Sequence, residues 1–152
     1  MISDSEVIVR LVLALVLSGL VGLEREVSGR AAGFRTHILV CIGSTLIMLT
    51  SLHLFFYFHG MGVNVDPGRF AAQVVSGIGF LGAGTIIHIR DSVRGLTTAA
   101  SLWVAAGIGL AVGSGFYVGA LGATVLVLVV LFLLSHLERG VVGSKRSRPE
   151  PE

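Results

Sequence analysis

The stretch GIGFLGAG, residues 77–84, contains a glycine spacing that is typical of dinucleotide-binding proteins. In those proteins the pattern G-x-G-x-x-G follows a strand, opens a helix that receives the phosphates, and precedes an acidic residue by about 20 positions. Here the position 20 after Gly82 is Leu102, and no alternation of strands and helices surrounds the motif. The glycines lie within a long apolar run, so we reject nucleotide binding.

The composition is that of a membrane protein. Of the 152 residues, 53% are hydrophobic and 13% are charged, and the mean hydropathy is +0.89. Soluble domains carry about 25% charged residues, so this chain lacks the polar side chains to cover a water-facing surface. The net charge of +2 is too small to indicate nucleic-acid binding. The single cysteine, Cys41, excludes an intramolecular disulfide and is expected to be a packed thiol.

Five apolar runs are long enough, or nearly so, to cross a hydrocarbon core about 30 Å thick. They predict an all-α integral membrane protein, a bundle of about five transmembrane helices. The runs are residues 7–23, 37–59, 70–89, 96–112 and 118–137. We therefore expect a membrane domain at 1–137 and a short basic tail at 138–152, whose proline-rich, charged composition predicts disorder.

The positive charges are distributed unevenly between the predicted loops. Arg10 and Arg69 lie on one side of the membrane, and the other nine Lys and Arg residues lie on the opposite side. Because positively charged short loops remain in the cytoplasm, the N-terminus is predicted outside and the C-terminus in the cytoplasm. The nine are Arg25, Arg30, Arg35, Arg90, Arg94, Arg139, Lys145, Arg146 and Arg148.

Charged and polar residues at the predicted cytoplasmic face form the first candidate site. The second and fourth spans begin there, and a helix start offers free N–H groups and a positive dipole end. With Arg35 and Arg94 beside them, these starts could receive an anion, or Glu24 or Glu26 could fill them in a salt-bridged cap. The alternative is that the arginines only fix topology and the glutamates only pair. The cap residues are Glu24, Arg25, Glu26, Arg35, Thr36, His37, Asp91, Arg94, Thr97 and Thr98.

The glycines of the third span form the second candidate site. Ala72, Ser76, Gly79 and Ala83 share one helix face, which would let another helix approach closely, and a similar seam passes through Gly109 in the fourth span. Four glycines in eight residues also weaken a helix, so an unwound segment that exposes carbonyls is the alternative. The helix-packing or pathway candidates are Gly77, Gly79, Gly82, Gly84 and Gly95.

No catalytic set, cofactor site or metal site is predicted. Every acidic residue lies outside the central half of a span, whereas ion-coupled transport calls for a carboxylate near the midplane. Paired carboxylates, a Ser/His/Asp set and a histidine-rich pattern are also missing from any common depth. We expect a non-enzymatic protein whose partners are membrane lipid and another membrane protein or a second copy of itself.

Several long motifs resemble the MgtC/SapB family of bacterial inner-membrane proteins, over about residues 8–135. They are GLERE (22–26), AGFRTHILVCIGS (32–44), AAQVVSGIGFLGAGTII (71–87) and VRGLTTAASLWVAAGIGLAVGSGFY (93–117). The resemblance implies a five-span, multi-pass domain in the inner membrane, linked to survival under magnesium limitation, to virulence, and to inhibition of the F-type ATP synthase. Some members carry an extra cytoplasmic C-terminal domain, which we expect this sequence to lack.

Two functions follow from the residues and the resemblance together. The first is regulation of another membrane complex, such as the F-type ATP synthase, in magnesium limitation or stress. The alternative is a transporter or channel for Mg²⁺ or another small solute, in which backbone carbonyls near residues 77–84 would replace the missing carboxylates.

Overall fold

The computed structural model describes residues 2–63, 65–90 and 92–145, with side chains as far as Leu133. Five α-helices make up most of this chain, which confirms the predicted all-α bundle. In chain order they are α1 (Asp4–Val27), α2 (Phe34–His59), α3 (Gly68–Gly84), α4 (Leu96–Ser114) and α5 (Tyr117–Lys145).

The helices differ in their ability to cross a membrane. Within the described residues, α1, α2 and α4 are long and apolar enough to do so, and the apolar part of α5, Tyr117–Leu133, is shorter. With 17 residues, α3 is about 25 Å long, below the thickness of about 30 Å of a hydrocarbon core. The chain is a multi-pass membrane protein, and its orientation stays a prediction.

The helices alternate in direction, which brings the two arginine-rich loops to one end of the bundle. Near the end of α1, Gly22 faces the first turn of α2, while Arg10, near the start of α1, contacts the end of α4. His37 in α2 contacts Ser101 in α4, so these two helices run parallel and begin at the same end. We call the two ends of the bundle the Arg10 end and the Arg25 end.

The core is built around α4, which contacts all four other helices. The buried cluster at the centre of the core consists of small and medium apolar side chains, because helices that approach closely leave little room between them. Cys41 is fully buried there, as the sequence predicted. The cluster contains Ala14, Leu17, Cys41, Ile108, Val112 and Ala120.

The third apolar run is not helical throughout, which corrects the predicted span at 70–89. Helix α3 ends at Gly84, where the hydroxyl of Thr85 donates to the carbonyl oxygen of Gly82 at 2.8 Å. An exposed antiparallel hairpin follows, formed by β1 (Ile87–Ile89) and β2 (Ser92–Arg94). The β-branched isoleucines favour this extended backbone over a further helical turn.

Helix α5 continues past the predicted end of the fifth span. It runs to Lys145, so residues 138–145, assigned to the tail from the sequence, are helical. The remaining residues of that predicted tail, 146–152, lie outside the described residues.

Candidate functional site

The cap begins with a buried arginine at the end of α1. The side chain of Arg25 is 2% exposed, and its Nε donates to the carboxylate of the neighbouring Glu24. The second carboxylate oxygen of Glu24 accepts a hydrogen bond from the Ser28 hydroxyl at 2.9 Å. This carboxylate therefore balances the buried guanidinium within a single helix end.

Glu26 occupies the start of α2. Its Oε2 accepts a hydrogen bond from the backbone N–H of Phe34 at 2.9 Å, which satisfies one of the free donors of that helix. A side chain at Gly33 would overlap this carboxylate, so the glycine leaves the space that it needs. The sequence analysis considered an anion, Glu24 or Glu26 at the helix starts, and the structure shows Glu26 at the start of α2.

The arginines predicted to pair with these glutamates lie elsewhere. Arg35 and Arg94 are exposed, and the salt bridges among the described residues join Arg25 to Glu24 and Arg10 to Glu6. The predicted bridges between the two loops are therefore not formed there, because Glu24 and Glu26 are already engaged and Arg94 lies on the exposed hairpin. Thr36 and Thr97 are also exposed, and Asp91 lies outside the described residues.

A buried polar chain joins α2 to α4 at this end. His37 is fully buried, with Nδ1 2.8 Å from the carbonyl oxygen of Gly33 and Nε2 3.0 Å from the Ser101 hydroxyl. The Ser101 hydroxyl in turn donates to the carbonyl oxygen of Thr98 at 2.8 Å. His37 and Thr98 were predicted cap residues, whereas Ser101 was missed because a serine in an apolar run gives no signal by itself.

The Gly95 backbone sets the start of α4. Its φ of +92° belongs to the left-handed region that favours glycine, and a Cβ there would overlap the carbonyl oxygen of Thr85. This glycine therefore serves the tight connection from the hairpin into α4, not the helix packing or pathway that the sequence suggested.

The glycines of α3 correct a further prediction. A Cβ at Gly77, Gly79 or Gly84 would meet no atom within 4 Å, whereas one at Gly82 would contact the Cβ of Ala99 at 3.6 Å. Only Gly82 among these four thus packs against another helix of the same chain. The helix is regular through Gly84, so the unwound alternative is not observed.

A groove of about 350 Å³ runs between α2 and α3. It adjoins a second pocket near the start of α3, which contains Asp66 and Arg69, and the two share Phe70 and Gln73. The lining of the groove between α2 and α3 is mostly apolar and includes Val40, Ser44, Gly77 and Leu81. Within the described part of the chain, no group of three or more His, Cys, Asp or Glu residues could hold a metal ion.

The sequence analysis missed the interhelical contacts of Arg10. Its side chain is 9% exposed, and Nη1 donates to the Gly113 carbonyl oxygen at 2.7 Å, at the end of α4. It also pairs with Glu6, and its guanidinium carbon lies 5.7 Å from the centre of the Tyr117 ring. An arginine within an otherwise apolar run was the available signal, since charged residues in spans usually have buried partners.

The fold and site define a multi-pass helical membrane protein with buried polar links at both ends of its bundle. A model of the MgtC family matches residues 11–140, so the chain belongs to the MgtC family.

Two relatives illustrate the similarity. The chain is 44% identical over 134 residues to "Putative magnesium transporter YhiD" of Escherichia coli K12, which covers 88% of this chain and 62% of that protein. It is 46% identical over 128 residues to "Protein MgtC" of Salmonella typhimurium 14028s, which covers 84% of this chain and 52% of that protein. The chain thus spans about half to three-fifths of these curated relatives. No solved structure matches it.

Proposed function

We propose that this chain is a non-enzymatic protein of the bacterial inner membrane that binds and regulates another membrane complex under magnesium limitation or stress. The F-type ATP synthase is the complex that the family resemblance implies. The observation that carries the proposal is the exposed face of α3, which differs from the exposed faces of α1 and α5.

The exposed residues of α1 and α5 are mostly large and apolar, for example Val12 and Leu20 on α1 and Val125 on α5. Such side chains suit contact with lipid tails. On α3, by contrast, small residues alternate with exposed Val75, Phe80 and Leu81. The exposed small residues are Ala72, Ser76, Gly77, Gly79, Ala83 and Gly84.

Small residues favour contact with protein over contact with lipid. Between membrane helices the hydrophobic effect provides little attraction, so association depends on close backbone approach and on interhelical hydrogen bonds. The open space at Gly79 allows a second helix to come close, on the face that also carries Ala72, Ser76 and Ala83. Gly77 lies on the opposite side of α3, toward the α2–α3 groove. We therefore assign the partner complex to the face that carries Gly79.

Transport is the second candidate, because the α2–α3 groove adjoins the pocket that contains Asp66. Mg²⁺ requires oxygen ligands, and the carboxylate of Asp66 together with the side-chain oxygens of Ser44 and Gln73 could supply some of them. Transport ranks second because, among the described residues, Asp66 is the one carboxylate that lines either the groove or the adjoining pocket, and it lies in the pocket.

The test compares Gly79→Leu on α3 with Val125→Leu on α5, both at exposed positions. In inverted vesicles from cells that express the full chain, the wild type and Val125→Leu should lower the rate of ATP synthesis, and Gly79→Leu should not. Neither substitution should lower the unfolding temperature in detergent. Inhibition by Gly79→Leu equal to the wild type would contradict binding at this face. Magnesium uptake into proteoliposomes that contain only this protein would instead favour transport.

A further inference from the structure

The hydrogen bonds around His37 fit two arrangements of protons. A carbonyl oxygen only accepts, so the 2.8 Å contact with Gly33 places a proton on Nδ1. The Ser101 hydroxyl has one proton and lies within hydrogen-bond distance of both the Thr98 carbonyl oxygen, at 2.8 Å, and Nε2 of His37, at 3.0 Å. A neutral ring leaves Nε2 free to accept that proton, whereas an imidazolium donates from Nε2 and leaves the hydroxyl proton to Thr98.

We infer that His37 is a proton-binding site that controls the hydrogen bonding between α2 and α4. When a proton from water adds to Nε2, the ring becomes an imidazolium and donates to Ser101, whose hydroxyl donates to the Thr98 carbonyl oxygen. When Nε2 releases the proton to water, its lone pair accepts the Ser101 hydroxyl proton, and the bond to Thr98 is lost. Nδ1 keeps its proton in both states, because Gly33 offers only an acceptor.

The charges that face His37 come from α1. The ring itself is fully buried, which disfavours its charged form. The guanidinium of Arg25 also opposes a proton on the ring, and the carboxylate of Glu24, which pairs with Arg25, favours it. From α4 the ring meets the hydroxyl of Ser101, and on its own helix Arg35 is exposed. Glu24 has a side chain that is 15% exposed, so one of the two opposing charges reaches water.

Protonation of His37 affects the contacts between helices because of where the ring lies. His37 lies in the first turn of α2, where a Cβ at Gly22 of α1 would be only 3.0 Å from its own Cβ. The ring therefore has no space to move toward α1 when its charge changes. The change in hydrogen bonding therefore affects the Ser101 hydroxyl and the Thr98 carbonyl oxygen, in the first turn of α4.

The inference is tested by solid-state NMR of the full chain in lipid bilayers, with ¹⁵N-labelled histidine and ¹³C-labelled serine. Comparison with His37→Gln identifies the ring signals of His37. Should that variant not fold, a variant in which His53, His59, His88 and His136 are replaced by Gln leaves His37 as the only histidine. Between pH 5 and 9 we expect Nε2 alone to change from protonated to unprotonated, while Nδ1 stays protonated.

The Ser101 Cβ signal should shift with the same midpoint as Nε2, because the hydroxyl changes its acceptor in the same step. Ser44 and Ser51 are the internal controls, since their hydroxyls donate to Val40 and Pro67 carbonyl oxygens and should not follow the titration. A ring that holds one protonation state across the range would overturn the inference. So would a neutral ring with its proton on Nε2, or a Ser101 signal that stays constant while the ring titrates.

Discussion

Helices α3 and α4 contain similar spacings of small residues but use them in opposite ways. In α4, a Cβ at Gly113 would lie 2.7 Å from the Cβ of Met48 and 2.8 Å from the Thr45 carbonyl oxygen, so α2 already occupies the space. In α3, the space at Gly77 and Gly79 is open. The same sequence pattern therefore builds the core of the bundle in one helix and leaves an open, exposed surface in the other.

Polar contacts follow the same division. The side chain of Arg10 donates to the end of α4, that of Thr45 donates to the Gly109 carbonyl oxygen at 2.9 Å, and His37 contacts Ser101. For α3, the interhelical side-chain bond found within the described residues is that of Ser51 to the Pro67 carbonyl oxygen, just before the helix begins. Helix α4 is thus fixed along its length, whereas α3 is held mainly by apolar contact.

The largest effect is expected where this comparison is most direct, between Gly109→Leu and Gly79→Leu. A side chain at Gly109 would overlap the Cys41 carbonyl oxygen, and backbone cannot move aside as a flexible side chain can. We expect the free energy of unfolding to fall by about 3 kcal/mol, the upper end of the usual cost of overpacking. Gly79→Leu, in open space, should not lower it. Unfolding in detergent measures both, and an equal loss in the two variants would contradict the division between the helices.

A smaller loss is expected for Arg10→Met, which keeps much of the volume but removes the contact with the Gly113 carbonyl oxygen. The buried oxygen would lose its charged donor, at a cost of about 1–3 kcal/mol. Arg69→Met is the matched control, because Arg69 is exposed at the start of α3 and should tolerate the change. Thermal unfolding at equal detergent concentration checks the pair, and an unaltered Arg10→Met variant would show that the end of α4 needs no anchor.

Thr45→Val should have a lesser effect, because it keeps the shape and removes one hydroxyl. That hydroxyl is shared between the carbonyl oxygens of Cys41 and Gly109, each at 2.9 Å, and its loss should cost about 0.5–1.5 kcal/mol. Ser76→Ala on the exposed face of α3 removes a hydroxyl without such an interhelical bond and should leave stability unchanged. Urea unfolding of the two variants distinguishes them, and a loss at Ser76 as large as that at Thr45 would place α3 in the core.

Most of the fold could be predicted from the sequence, because fold class depends on properties that are averaged over many residues. The density of apolar residues indicated a helical membrane protein, and the run lengths identified five helices. The third run failed at its end because Thr85 and the following isoleucines are compatible with both helix and strand. In the structure, the extended backbone is accompanied by a tight turn at Gly95, where a side chain would overlap the Thr85 carbonyl oxygen.

Less of the candidate site could be predicted from the sequence, because the site depends on which face of each helix contacts which neighbouring helix. Glu26 at the start of α2 follows a local rule of capping and was among the alternatives considered. Ser101 and Arg10 act across helices, at separations of 64 and 103 residues from their partners, and no local pattern encodes such contacts. The glycines at 79 and 109 show the same limit, since their spacing does not specify a neighbour.

The smallest predicted effect has the opposite sign and depends most directly on the open space at α3. Glycine is less favourable than alanine in a helix interior by about 1 kcal/mol, because it loses more backbone freedom on folding. Since a Cβ at Gly79 meets no atom within 4 Å, Gly79→Ala should stabilise the isolated chain by up to about 1 kcal/mol. Gly113→Ala gains the same helix preference but forces a methyl group against Met48 and Thr45, so its net effect should be destabilising. Unfolding of the two alanine variants in one detergent gives the two signs side by side, and a destabilised Gly79→Ala chain would mean that α3 already has a close neighbour.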